Sequence, residues 1–130
     1  MPSRTIPLLI CRDIQASYDF LLNAFGLRPG GVFRDGAGNV VHGELLAGDT
    51  TIWLHRLAPE HRLEAPTEIA SSGLVVLVDD VDAHFAHAKA AGARVLSEPT
   101  DQFYGQREYG ALDADGHRWW FATPLAEVSR

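Results

Sequence analysis

The residues of this chain best suited to chemistry are its histidines and a few acids set among aromatic rings. His42 and His55 fall on the two strands of one predicted hairpin, Val40 to Arg56. Strand side chains alternate between faces, so these two can share a face with Glu44. Two imidazoles and a carboxylate can hold a metal ion, or one of them can serve as a general base; without a cysteine or a paired ligand spacing, the pattern does not choose between these uses. Glu108 reads as half of a surface ion pair with Arg107, or as a second candidate base. His84 and His87, three apart on a predicted helix, read as a solvated helix face. His61 and His117, in a linker and after a turn, read as exposed. Cys11 lies in an apolar strand and reads as a small buried hydrophobe. As the single cysteine it allows no internal disulfide, which fits a reducing compartment.

Aromatic residues are the second source of function. Trp119, Trp120 and Phe121 are consecutive on one predicted strand, so Trp120 faces one way and its two neighbours the other. One face must pack on helices. The other, in a curved sheet, lines a concavity. Both Trp53 and Trp120 can be read as core, or as a platform for a flat ligand, since aromatic walls with few polar groups are typical of small-molecule sites.

The elements that position these groups come in two copies. Val40 to Leu54 is a strand, a Gly-Asp turn and a strand with Trp; Gln106 to Thr123 repeats the plan around Asp113-Ala114-Asp115-Gly116. Upstream, Asp80 matches Asp13, Val81 matches Ile14, Phe85 matches Tyr18 and Ala88 matches Leu21, all at the offset that relates Trp120 to Trp53. Asp13 and Asp80 are predicted N-caps, because a carboxylate there accepts from the free amides of the first helical turn. Ile14, Tyr18, Leu21, Leu22 and Phe25 form one helix face, closed by Gly26; Val81, Phe85, Ala88 and Ala91 form the other, closed by Gly92. Strands are predicted at Ile6 to Cys11, Arg28 to Phe33, Leu74 to Val78 and Arg94 to Ser97, with a loop from Glu98 to Gly105. The unbroken apolar run Leu74 to Val78 reads as covered on both faces. The glycines at 36 and 38 supply only part of a dinucleotide fingerprint and open no helix.

The expected product is one α+β domain over residues 1–130. It holds a βαβββ module at 5–57, a linker at 58–72 and a second module at 73–124, forming a curved mixed sheet around a cup. The composition is that of a globular protein, 46% hydrophobic and 22% charged. A net charge of −6 argues against nucleic acid, whose phosphates call for a basic surface. No apolar run approaches the ~20 residues of a membrane span. The N-terminus lacks the apolar core of a signal peptide, so a cytoplasmic location is expected.

The two modules, the matching helix-opening Asp13 and Asp80, and the closing stretch GALDADGHRWWFAT together resemble the glyoxalase/bleomycin-resistance group, the vicinal oxygen chelate superfamily. The resemblance covers roughly Ile6 to Pro124. It implies eight strands curled around a cup and a homodimer, with cups built between modules or across chains. In the family's metalloenzymes four cup-facing positions supply His, Glu or Gln ligands. Aligned here they fall near Ile6, Trp53, Gly73 and Trp120, and Trp120 stands where the closing pattern has Glu. The resemblance therefore points to the branch without metal, similar to antibiotic-binding resistance proteins, and implies no catalytic residue, no metal and no other cofactor. The expected partner is a planar or aromatic small molecule held by His42, Trp53, Phe103, Tyr104, Arg107, Glu108, Tyr109 and Trp120. The alternative is an enzyme of the superfamily, a lyase, isomerase or dioxygenase. It would use His42, His55 and Glu44 or Glu108 around a metal, or His42 or Glu108 as a metal-free base.

Overall fold

The computed structural model describes residues 4–58 and 72–128. The segment expected to join the modules, with His61, lies almost wholly outside them. The first module runs β1 (Leu8–Cys11), α1 (Ile14–Phe25), β2 (Arg28–Arg34), β3 (Val40–Ala47) and β4 (Thr50–Arg56). The second runs β5 (Gly73–Leu77), α2 (Val81–Ala90), β6 (Arg94–Asp101), β7 (Gln106–Leu112) and β8 (Arg118–Pro124), and a short 3-10 turn follows. Each module makes one four-stranded mixed sheet, in the orders β1-β4-β3-β2 and β5-β8-β7-β6. The architecture is α+β with two βαβββ modules, not closed into a barrel. None of the described helices is long and apolar enough to cross a membrane.

Local chemistry accounts for the helices. Asp13 accepts from the Ala16 amide and Asp80 from the Ala83 amide, both at 3.1 Å. Gly26 ends α1 at φ 70°, a conformation that costs a residue with a Cβ strain. In each sheet one face turns inward. Leu45, Ile52 and Leu54 of the first and Tyr109, Ala111, Trp119 and Phe121 of the second join Ile14, Leu21 and Phe25 of α1 and Val81 and Ala88 of α2 in one core. Phe25 packs on Trp119 and Phe121, with ring centroids 5.5 and 4.9 Å away. Ile14 lies so close to β3 that a Cβ on Gly43 would come within 3.1 Å of it. Helix α1 therefore touches the inner faces of both sheets.

The second module holds α1 at both ends. Near its start, Asp115 accepts from the Arg12 amide at 3.0 Å and from the Ser17 hydroxyl. Near its end, His84 donates through Nε2 to the Phe25 carbonyl (2.8 Å), and His87 does the same to the Asn23 carbonyl (2.7 Å). His84 is half-buried, which corrects the expectation of a solvated histidine face for that residue, while His87 stays exposed as expected; both rings fill carbonyl positions that a helix C-terminus leaves unpaired. His84 also accepts through Nδ1 from the Tyr109 hydroxyl. Three strand-level expectations change as well. Strand β6 runs on to Asp101, so the first half of the predicted loop is strand. Pro7 precedes β1, and its carbonyl accepts from the Trp53 amide. The run at β5 is covered on one side only, since Val75 and Leu77 are 64% and 63% exposed.

A pH dependence follows from the two half-buried imidazoles. Burial lowers the pKa of His84 from its ordinary 6.5. Below that value the unfolded chain takes a proton that the folded chain refuses, so stability falls with pH from about 6.5 downward. His117, bonded to Asp113, has a raised pKa. Its contribution is complete below 6.5 and is lost as pH rises through the higher folded value. Melting temperature is thus expected to decline on acidification from about pH 6.5 in the parent, and less steeply in His84→Gln. Equal slopes would show that His84 is not responsible.

Candidate functional site

The faces turned away from the core carry the groups of interest. On the first sheet, Glu44 of β3 stands opposite Trp53 of β4, which in turn pairs with Leu8 of β1. Two positions along, past the Gly43–Leu54 pair, His42 meets His55. His42 Nδ1 lies 2.9 Å from His55 Nε2, and His42 Nε2 lies 2.8 Å from a Glu44 oxygen. The rings around this chain are close. His42 sits edge-on to Trp53 at 4.9 Å and 5.5 Å from Phe33, while His55 lies nearly parallel to the Trp53 indole at 6.1 Å.

On the second sheet, Trp120 stands between Val75 of β5 and Gly110 of β7. Its indole lies flat on the sheet because glycines make room for it. A Cβ on Gly73 would come within 2.5 Å of the ring, and one on Gly110 within 2.9 Å of the indole nitrogen. Glu108, paired with Ala122, shares this face. Its carboxyl accepts a hydrogen bond from the Tyr104 hydroxyl, and burial raises its pKa. Phe103, 99% exposed, stands edge-on to Tyr104 in the loop before β7.

Of the eight residues expected to bind ligand, His42 and Trp53 meet on the first outer face. Trp120, Glu108, Tyr104 and Phe103 gather on and beside the second. Arg107 and Tyr109 join neither. Tyr109 is fully buried in the core, its hydroxyl on His84. Arg107 pairs with Asp82 of α2 and Asp101 of β6, each at 3.0 Å. Strand alternation carries the signal that separates them: 107, 108 and 109 are consecutive, so the middle residue cannot share a face with both neighbours.

The register also tests the four positions that a metal would use. Leu8 and Val75, rather than Ile6 and Gly73, stand beside Trp53 and Trp120. Two alkyl side chains and two indoles, whose N–H only donates, offer no ligand atom. These positions do not fit a metal.

Sequence reasoning missed the role of the turn before β8. Asp113, Asp115 and His117 bring possible ligand atoms within 4.8 Å of one another. Their lone pairs are already taken by protein donors. Asp113 accepts from the amides of Asp115 and His117, from His117 Nδ1 and from Trp119 Nε1, at 2.8–3.0 Å. Burial would raise its pKa, but these donors outweigh it and the carboxylate is held below its ordinary value. His117, expected to be exposed, is half-buried and also bonds the Ile10 backbone. The cluster ties the turn to the first module. Nearby, Cys11 is buried as expected, and desolvation pushes its thiol up to about 12, which leaves it unreactive.

A cleft of about 430 Å³ between Pro7, the β3–β4 turn and β5 is lined mainly by backbone and alkyl groups and reaches neither Trp53 nor Trp120.

Comparison with known proteins agrees with this architecture. Residues 5–121 match the model of the Glyoxalase/Bleomycin resistance protein/Dioxygenase superfamily. An uncharacterized protein of Mycobacterium tuberculosis strain H37Rv is 30% identical over 128 residues, covering 95% of this chain and 75% of that one. Among solved structures, TioX from Micromonospora sp. ML1 is similar at a TM-score of 0.77 and 27% identity, covering 95% of this chain and 100% of its own. A glyoxalase/bleomycin resistance protein/dioxygenase family enzyme from Burkholderia phytofirmans PsJN shares the fold at a TM-score of 0.72 and 20% identity, over 91% and 95% of the two chains. With a family model spanning nearly all of its two modules, this chain belongs to the glyoxalase/bleomycin resistance protein/dioxygenase superfamily.

Proposed function

We propose that this chain is a cytoplasmic small-molecule-binding protein that sequesters a planar or aromatic ligand against Trp53 and Trp120. Binding of an antibiotic is the resistance-type form of that reading. The observation that carries it is the seat of Trp120. A large ring laid flat on two glycines, and only half-buried where its strand neighbours Trp119 and Phe121 are fully buried, is a stacking surface rather than core. Glu108, Tyr104 and Phe103 supply polar and aromatic edges on the same side, and His42 does so beside Trp53. The absence of ligand atoms at Leu8, Trp53, Val75 and Trp120 favours binding over metal chemistry. Titrating the protein's tryptophan fluorescence with a panel of polycyclic and peptide antibiotics tests the reading. Saturable quenching by at least one compound is expected; an unchanged spectrum across the panel would overturn it.

The working form in this reading is a homodimer. Because α1 packs on both inner faces, the outer faces look apart, and one chain does not set Trp53 and Trp120 around a common ligand. A second copy can, by laying its second sheet over the first sheet of its partner. Exposed Leu8, Phe33, Val75 and Leu77 on those faces, and the strand edges at β2, β5 and β6, are surfaces such an assembly would cover. Sedimentation velocity at micromolar concentration is expected to give twice the chain mass of 14.2 kDa. A single species at the monomer mass would count against the shared site.

A further inference from the structure

We propose that the Trp120 face selects a flat ligand charged at both ends, its cationic end on Glu108 and its anionic end toward Arg118. The seat of the indole sets the frame. Its nitrogen lies over Gly110 of β7 and its benzene ring over Gly73 of β5, so the ring bridges the strands on either side of β8. Strand alternation puts Arg118 on the same face two residues before Trp120, and Glu108 on it two residues before Gly110. Because β7 and β8 are antiparallel, these two steps run in opposite directions. The charged residues therefore stand at opposite ends of the indole, four residues and one strand apart, or about 14 Å between backbones.

Each end keeps its sign because its neighbours do not cancel it. Glu108 is half-buried, and its cross-strand neighbours Thr100 and Ala122 bring no charge. The adjacent cation, Arg107, points to the other face and is committed to Asp82 and Asp101. Tyr104 donates to one carboxylate oxygen of Glu108 and holds the group in place. The ion pairs among the described residues include neither Glu108 nor Arg118. A carboxylate in that state gains more from a cation than a fully hydrated one does, since burial already works against its charge. At the other end Arg118 of β8 and Arg94 of β6 flank Leu112, both exposed. Between the ends lies the flat indole, with Val75 beside it. A fused-ring ligand with an amidinium at one end and a carboxylate at the other meets each charged group with its opposite. The signs also fix which way round such a ligand lies.

The proposal rests on the sequestration reading and narrows its ligand to a flat zwitterion. Four compounds built on one ring system test it by equilibrium dialysis: an amidino-naphthoate with its charges at opposite ends, naphthamidine, naphthoate and neutral naphthamide. The zwitterion is expected to bind most tightly. Its amidinium is expected to contribute about tenfold through charge-assisted hydrogen bonds to Glu108, and its carboxylate about threefold, less because Arg118 is exposed. Glu108→Gln is expected to remove the advantage of the amidinium and Arg118→Gln that of the carboxylate, each leaving the other intact. The ranking in the parent needs no variant. Naphthamide bound as tightly as the zwitterion would overturn the proposal and leave sequestration standing. So would an amidinium preference that survives in Glu108→Gln, because it would reflect only the net charge of −6. Quenching by the antibiotic panel with no naphthalene bound would likewise sink the charge pattern alone. No binding of either set would sink both readings.

Discussion

Trp119→Ala is expected to lower the melting temperature by more than about 10 °C and to leave little folded protein at 37 °C. Trp119 is fully buried, stacked with Phe121 and packed on Phe25 at the junction of α1 with the second sheet. Truncating a buried Trp removes about 3–5 kcal/mol by lost transfer energy and cavity formation. A second loss adds to it. The indole N–H donates to buried Asp113 at 3.0 Å, and a carboxylate left short of a donor costs a further ~1–3 kcal/mol. Domains of this size have only about 5–15 kcal/mol in hand, and each kcal/mol is worth a few degrees. Thermal melts of parent and variant check this. A variant melting within about 3 °C of the parent would mean that the core is not centred on this strand.

The modular plan was legible in the sequence because two copies of it are present. The offset relating Asp13 to Asp80 and Trp53 to Trp120 carries helices and strands along with it, and both caps form as their side-chain chemistry dictates. What was not legible is long-range partnership. His84 and His87 have a helical spacing that fits a wet surface equally well. Only the approach of α1, whose terminal carbonyls need donors, makes them fasteners. His117 likewise looked free until the turn closed around Asp113. The candidate site shows the same division. Alternation along β8 already separated Trp120 from Trp119, and along β7 it could have separated Glu108 from Arg107 and Tyr109. The glycines under the Trp120 ring could not be foreseen, because Gly73 and Gly110 lie on different strands from it and from each other. The continuous line from Glu44 to His55 depends on strand register, which the sequence pattern leaves open by a residue or two.

Trp120, one residue from Trp119, is expected to behave in the opposite way, and the contrast tests the stacking surface most directly. Truncating a ring on an outer face leaves no sealed void, so the melting temperature of Trp120→Ala should stay within about 5 °C of the parent. Binding should suffer instead. Stacking of an aromatic ligand on the indole is worth about 0.5–1.5 kcal/mol beyond area burial, and the buried area is lost as well. Together these amount to a weakening of more than about tenfold. The measurement is a pair of curves on the same Trp120→Ala preparation: a thermal melt, and an equilibrium titration with a compound that quenches the parent. The account predicts a near-parental melt with affinity reduced more than about tenfold. A melt as damaged as that of Trp119→Ala, with affinity unchanged at temperatures where the variant is folded, would show that Trp120 supports the fold and that the ligand lies elsewhere.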